Sequence, residues 1–415
     1  MTGRHPATAA TPTNALARDV AALRAARPAL AARPRAEVLA SLADVVEAWL
    51  APQSVWMARA VAALPAATGF SPAMIRHALP SLLEPLRRLP ELVAAEAGAR
   101  CGPGLILHVL PGNLPGLAAV PMALSLAVGS TALLKPGRGD RVFPTLFVES
   151  IAAHDPQLAA ALAVYYWPGG ERASEDAALA AADLVVAAGD DAAIAALANR
   201  ARGRFIGHGH RVSFAVVSRE QATDVAAASA LAEDVATWDQ RGCLSPQLCF
   251  VEGEHDDAAA FAQRLFSALT ALADSLPPAQ LEIGERLAIR RWRDRAAWES
   301  FGGEPCVLHA LADEAGGSVV LDGRPRFQAS PLGRSLRVMP VRRFEDITAL
   351  LAAARPWLEC AGLAAPQARW DERAAGLRAG GVHRVCRLGE MQRPPLDWRQ
   401  GGRPRLADWV LNDAA

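Results

Sequence analysis

From Gly102 to Leu134 the chain carries no Asp, Glu, Lys or Arg, and that stretch limits what can fold around it. So apolar a run must be covered on both faces or lie in a bilayer. Pro111, Pro115 and Pro121, with several glycines, break it where a membrane helix would run on. The breaks divide it into a buried strand at 105–110, a loop at 111–116, a helix at 117–128 and a second strand at 130–134. That is a compact βαβ unit, and with it a parallel sheet.

The alternation continues downstream. Helical texture is expected near 142–153, a strand at 162–167, a Gly169-Gly170 turn, a helix from about Ser174, and a strand at 184–188 ended by Gly189-Asp190. Further strands are expected at 204–206 and 213–217. Upstream, residues 16–96 read as several helices punctuated by Pro28, Pro34, Pro52 and the Ser71-Pro72 start signal. The predicted class is α/β, with N-terminal helices and a Rossmann-type parallel-sheet domain together spanning 1–217. A second α/β domain would span 218–398, and a short segment at 399–415 would dock on another element or subunit. Right-handed crossovers leave the loops after the strands along one sheet edge, where ligands bind.

Composition narrows the function. Zero formal net charge gives the chain no overall pull toward nucleic acid or anionic membrane, and 52% apolar content is that of an ordinary globular protein. The six cysteines are scattered, without a CxxC pair, which points to reduced thiols in the cytoplasm rather than disulfides or a metal site. The polar stretch 1–14 has no apolar signal core and reads as a disordered lead-in.

Three residues stand out. Of 43 Lys and Arg residues only Lys135 is lysine, and it ends the second strand. Lysine is a compact, flexible ammonium where arginine is a planar fork, so a site can demand one and reject the other. Asn113 is one of four asparagines and sits in a Pro/Gly-bracketed loop, where its amide could donate to an oxyanion or simply shape a turn. Cys243 lies in a polar, Gly-containing approach to an apolar strand. It is either a small core residue or a nucleophile facing a cleft.

Taken in order, Pro111-Gly-Asn-Leu-Pro115, Leu134-Lys-Pro136 and Gln240-Arg-Gly-Cys243 resemble landmarks of the aldehyde dehydrogenase superfamily. More narrowly, the segments 108–115, 166–170 and 239–247 resemble the acyl-CoA reductase branch that includes the fatty acid reductase of bacterial bioluminescence. The resemblance runs from about Cys101 to Trp398. It implies an aldehyde dehydrogenase-like fold, Cys243 as nucleophile, and an oxyanion hole from the Asn113 amide and the Cys243 backbone N–H. It also implies a nicotinamide dinucleotide held by Lys135, Pro136 and Arg138 and by the loop residues Pro111, Gly112, Gly169, Gly170 and Gly189. Superfamily habit further implies a homo-oligomer, with an acyl-CoA or acyl-carrier protein as substrate and an acyl-synthetase or carrier as partner.

Two departures refine this. Where aldehyde-oxidising relatives carry a Glu that activates water, this chain has the stretch 207–213, with His208 near that position and no carboxylate. A reductase of thioesters has no use for a hydrolytic water, so the loss favours reduction; His208 is a base, a CoA contact or a structural residue. Three residues beyond Lys135, where NAD-using relatives place a Glu, stands Arg138, followed by Arg141. Guanidinium binds a 2′-phosphate that a carboxylate repels, which favours NADPH over NADH. The alternatives are an aldehyde dehydrogenase, an acyl-phosphate reductase, and a non-catalytic subunit that binds a partner enzyme.

Overall fold

A computed structural model describes residues 12–313 and 316–411. Most of the lead-in expected at 1–14 lies outside them, and Pro12 already begins the first helix, α1 (Pro12–Ala32). Helices α2 (Arg35–Leu50), α3 (Val55–Thr68), α4 (Pro72–Leu83) and α5 (Leu89–Glu96) follow. The starts of α3 and α4 are fixed by Ser54 and Ser71, whose side chains accept from the backbone N–H three residues on.

The uncharged stretch folds as β1 (Leu105–Val109), α6 (Ala119–Ala127) and β2 (Thr131–Lys135), with β1 and β2 parallel and in register from Leu105 opposite Thr131. Helix α7 (Val142–His154) and the four-residue α8 (Pro156–Ala159) lead to β3 (Leu162–Val164). Then come α9 (Arg172–Ala181), β4 (Leu184–Ala188), α10 (Asp191–Ala198) and β5 (Arg204–His208). The five strands form one parallel sheet in the order β3-β2-β1-β4-β5. One face carries Ile106, Leu134, Leu184 and Ile206 against α2, α4 and α6; the other carries Leu105, Leu107, Leu133 and Val185 against α1 and α9. Covering both faces satisfies the apolar strands without a bilayer. Among the described residues no helix is long and apolar enough to cross a membrane.

The strand expected at 162–167 is shorter, because β3 is the sheet edge and only one neighbour holds it. A larger correction concerns β6 (Val212–Val217), placed by sequence at the end of the first domain. All six of its residues are buried, and it lies between two neighbours in a second sheet of order β12-β11-β6-β7-β10-β9-β8. β5, by contrast, is a half-exposed edge of the first sheet. A strand apolar on both faces belongs in a sheet centre, so the sheets change at 209–211 rather than after Val217.

The second sheet comprises β7 (Pro246–Glu252), β8 (Cys306–Ala310), β9 (Ser318–Asp322), β10 (Ser335–Val341), β11 (Leu358–Ala364) and β12 (Arg384–Arg387) with β6. All its pairings are parallel except β8 with β9. Helices α11 (Val225–Ala236) and α12 (His255–Ser275) cover one face, and α14 (Phe344–Leu351) and α15 (Gln367–Ala379) the other. Helix α13 (Ile283–Phe301) packs beside β8.

The C-terminal segment docks within its own chain. Leu406, Trp409 and Val410 enter the core beneath the first sheet. Glu96 accepts from the backbone N–H groups of Leu406 and Ala407 at 2.6 and 3.1 Å, and Leu411 donates to the Cys101 carbonyl at 2.9 Å.

Candidate active site

Asn113 is placed by two interlocked loops beyond β1 and β2. A side chain at Gly112 would put its Cβ 2.7 Å from the Gly139 nitrogen, so backbone packs directly on backbone and only glycine fits. Gly112 thus has a packing reason of its own. Buried Asp140 ties the same loops together, accepting from the N–H groups of Phe143 and Gly116; burial raises its carboxyl to about 7. From this loop Asn113 Nδ2 donates to the Arg241 carbonyl at 2.6 Å, two residues before Cys243. One N–H of the amide is used there, which leaves the second.

Cys243 follows three consecutive non-glycine residues in the left-handed region, Trp238, Asp239 and Gln240, with φ of 59°, 48° and 62°. Such a run costs on the order of 1 kcal/mol per residue and needs compensation. Buried side chains supply it. Gln240 Nε2 donates to the Pro246 and Ser335 carbonyls at 2.8 and 3.0 Å, while its Oε1 accepts from the Ser335 N–H at 2.7 Å. Asp239 pairs with the fully buried Arg334 at 2.5 Å and accepts from the Ala279 N–H at 2.8 Å. The Ser213 hydroxyl donates to the Cys243 carbonyl at 2.7 Å and accepts from the Cys360 N–H at 3.1 Å, tying the cysteine to β6 and β11.

A cavity of about 490 Å³ opens between the loops of the first sheet and this turn. Its lining includes Asn113, Cys243, His208, Gly189 and Pro111, with apolar wall from Leu114, Leu117, Leu124, Ile206, Trp398 and Trp409. Five sequence-predicted positions therefore meet at one place. A Cβ built on Gly189 meets no atom within 4 Å, so that rim is open for a ligand to approach the backbone.

Lys135, Pro136, Arg138, Gly169 and Gly170 lie outside this lining. Lys135 forms a second station at the end of β2. Its ammonium lies 5.9 Å from the Tyr166 ring centre, with the Arg141 guanidinium 3.6 Å from the same centre. Burial lowers the Lys135 ammonium from its ordinary range, and the Arg141 charge works in the same direction against Glu175. Arg138 is exposed in the turn between Gly137 and Gly139. Gly170 adopts φ of 82°, and Cβ atoms on Gly169 or Gly170 would meet nothing.

The electrostatics around Cys243 are mixed. Burial, then the negative charge of Glu359, push its thiol up to about 12, while Arg405 and Arg211 pull it down. Cys243 is reached by solvent only partly, from the cavity. Burial lowers the His208 imidazole to about 4, aided by Arg405, Arg403 and Arg211, so the ring is neutral at pH 7. Asp190 also borders the cavity, but its carboxylate caps α10 through the Ala193 N–H at 2.8 Å.

Sequence reading missed Glu359 and Arg405. Glu359, on β11, is fully buried; its oxygens accept from the Gly401 N–H at 3.0 and 3.2 Å and pair with Arg211 at 3.3 Å. A lone acidic residue in the apolar run Leu358-Glu-Cys-Ala-Gly-Leu363 was a usable signal. Arg405, one of many arginines, gave none. Among the described residues no group of three or more His, Cys, Asp or Glu is arranged to hold a metal ion.

The fold and the cysteine-bearing cavity between two sheets define a class. The structure resembles NAD-dependent benzaldehyde dehydrogenase of Corynebacterium glutamicum with a TM-score of 0.73 at 15% identity, covering 97% of this chain and 89% of that one. It resembles aldehyde dehydrogenase C of Pseudomonas syringae, solved with NAD+ and octanal, at 0.70 and 16% identity, covering 90% and 81%. It also resembles NADP-dependent glyceraldehyde-3-phosphate dehydrogenase of Bacillus halodurans, solved with NADP, at 0.71 and 14%, covering 92% and 84%. The architecture is that of the aldehyde dehydrogenases. No curated protein matches by sequence. The acyl-CoA reductase (LuxC) family pattern matches residues 30–408, and the chain belongs to that family. It is accordingly an oxidoreductase of the acyl and aldehyde level.

Proposed function

We propose that this chain reduces an acyl thioester, acyl-CoA or acyl-carrier protein, to an aldehyde with NADPH, through a covalent thioester on Cys243. The observation that carries the reading is the convergence of Cys243 and Asn113, from different sheets, on one largely apolar cavity. The Cys243 sulfur attacks the thioester carbonyl, forming the S–C bond. The second Asn113 amide N–H and the Cys243 backbone N–H hold the developing oxyanion. As the tetrahedral species collapses, the C–S bond to the carrier breaks, and the proton lost by Cys243 ends on the carrier thiol. A thiol leaving group with pKa near ~8.5 needs no strong general acid.

The residues present fit a nicotinamide dinucleotide. The open Gly189 rim borders the cavity, and the Lys135, Tyr166 and Arg141 station lies at the adjoining strand end. When bound, that cofactor supplies the hydride. Lys135 would hold its ribose, and Arg138 with Arg141 its 2′-phosphate. Asn113 then holds the oxyanion of the Cys243 thiohemiacetal until the carbonyl re-forms, the S–C bond to Cys243 breaks to free the aldehyde, and the sulfur regains a proton.

Reduction is favoured over acid formation because the acidic groups near Cys243 are engaged. Glu359 is tied to Gly401 and Arg211, and Asp190 caps a helix, so neither is free to activate water. The test supplies acyl-CoA and NADPH and follows aldehyde and free thiol together. Equal amounts of both are expected, and free thiol with fatty acid but no aldehyde would contradict the reading.

A further inference from the structure

The segment following β12 returns across both sheets and ends as a strap over the first one. Its residue Arg405 lines the same cavity as Cys243, Asn113 and His208. The Arg405 Nε donates to the Trp398 carbonyl at 3.1 Å, and the guanidinium lies 4.9 Å from the Trp398 ring centre. Among the described residues its two Nη groups make no hydrogen bond. A guanidinium facing an apolar-walled cavity with its fork unengaged is expensive unless an anion comes to it.

We propose that the C-terminal strap completes the active site, with Arg405 as the cation that favours the Cys243 thiolate during attack on the acyl group. The proposal rests on Cys243 being the nucleophile. The charged and titratable groups that line the cavity with Cys243 are His108 from β1, Asp190 at the start of α10, His208 at the end of β5, His210 and Arg211 from the β5–β6 connection, Arg241 two residues before Cys243, and Arg405 from the strap, with Glu359 of β11 buried beside them. Glu359 pairs with Arg211 and Arg241 with Glu285, Asp190 caps α10, and His208 carries no charge at pH 7. Arg405, which shares the cavity with Cys243 and has no hydrogen-bond partner for its two Nη groups among the described residues, is thereby the cation left to offset burial of a thiolate. Glu96 fixes the register of the strap through the N–H groups of Leu406 and Ala407, the two residues that follow.

Because Arg405 reaches the cavity on the strap, activation depends on a segment far from Cys243 in sequence. Displacing the strap would remove the cation that partly offsets burial of the Cys243 thiolate.

The test measures alkylation of Cys243 by iodoacetamide, mapped by peptide mass, from pH 6 to 9. It uses the full chain and its Arg405→Gln, Arg405→Lys and Glu96→Gln forms, with thermal melting to establish that each is folded. Arg405→Gln should slow alkylation at pH 8 about tenfold, in proportion to a smaller thiolate fraction. Arg405→Lys should restore most of that loss. Glu96→Gln, which loosens the strap but keeps Arg405, should slow the reaction by a smaller factor and covers the case in which Arg405→Gln does not fold. Rates equal to or faster than the parent in Arg405→Gln, or in Glu96→Gln where Arg405→Gln does not fold, overturn the proposal. The nucleophile reading is separable: a Cys243→Ala enzyme that still releases aldehyde removes that reading. A parental alkylation profile in Arg405→Gln beside an inactive Cys243→Ala removes only the role of Arg405.

Discussion

Replacing Gln240 by Met keeps the length of a buried side chain and deletes its polar end. Three hydrogen bonds are lost, to the Pro246 carbonyl and to both backbone groups of Ser335, at 2.7–3.0 Å. Each is worth about 1 kcal/mol net, and the buried groups left behind add a desolvation penalty, so the loss should reach about 3–5 kcal/mol. The same bonds hold three left-handed residues, whose strain on the order of 1 kcal/mol each would otherwise relax. The site should therefore suffer along with the fold. Urea unfolding reads the first effect, and the rate of Cys243 alkylation in the still-folded variant reads the second. A loss below about 1 kcal/mol together with a parental alkylation rate would refute the claim that Gln240 sets the Cys243 turn.

Three further outcomes are expected. Asn113→Ala should lower kcat by roughly 10²–10³ with little change in cofactor KM, as removal of one oxyanion donor does, and steady-state kinetics checks this. Lys135→Arg should raise the cofactor KM while leaving the melting temperature unchanged; an unchanged KM would leave Lys135 without a role at the ribose. Asp140 is raised to about 7 by burial, so its contribution to stability is present below the unfolded pKa and is lost as pH rises through 7. Asp140→Asn should thus gain in melting temperature relative to the parent between pH 5 and pH 8, and a difference that stays flat across that range would contradict it.

Much of the fold was legible because the first βαβ unit has almost no alternative. An uncharged run broken by prolines in a chain of this size must be two covered strands and a helix. The change of sheet after β5 was not legible, since strands at 204–206 and 213–217 are close in sequence and differ mainly in how they are covered. Burial on both faces distinguishes β6, and that is a tertiary property. The site divides the same way. Cys243, Asn113, His208 and Gly189 are marked by local punctuation around strand ends, and the structure brings them to one cavity. Lys135 and Arg138 stand apart from that cavity because β2 ends farther along the sheet edge. Arg405 and Glu359 reach the site only through the returning strap and the β6–β11 pairing. No spacing in the sequence encodes either meeting.

Catalysis as proposed passes through a covalent thioester on Cys243. Intact mass and peptide mapping after mixing the protein with acyl-CoA, without any nicotinamide, test it directly. One acyl mass increment is expected on the peptide holding Cys243, absent from Cys243→Ala and discharged as aldehyde when NADPH is added. An acyl group found on another residue, or aldehyde produced at the parental rate by Cys243→Ala, would contradict it.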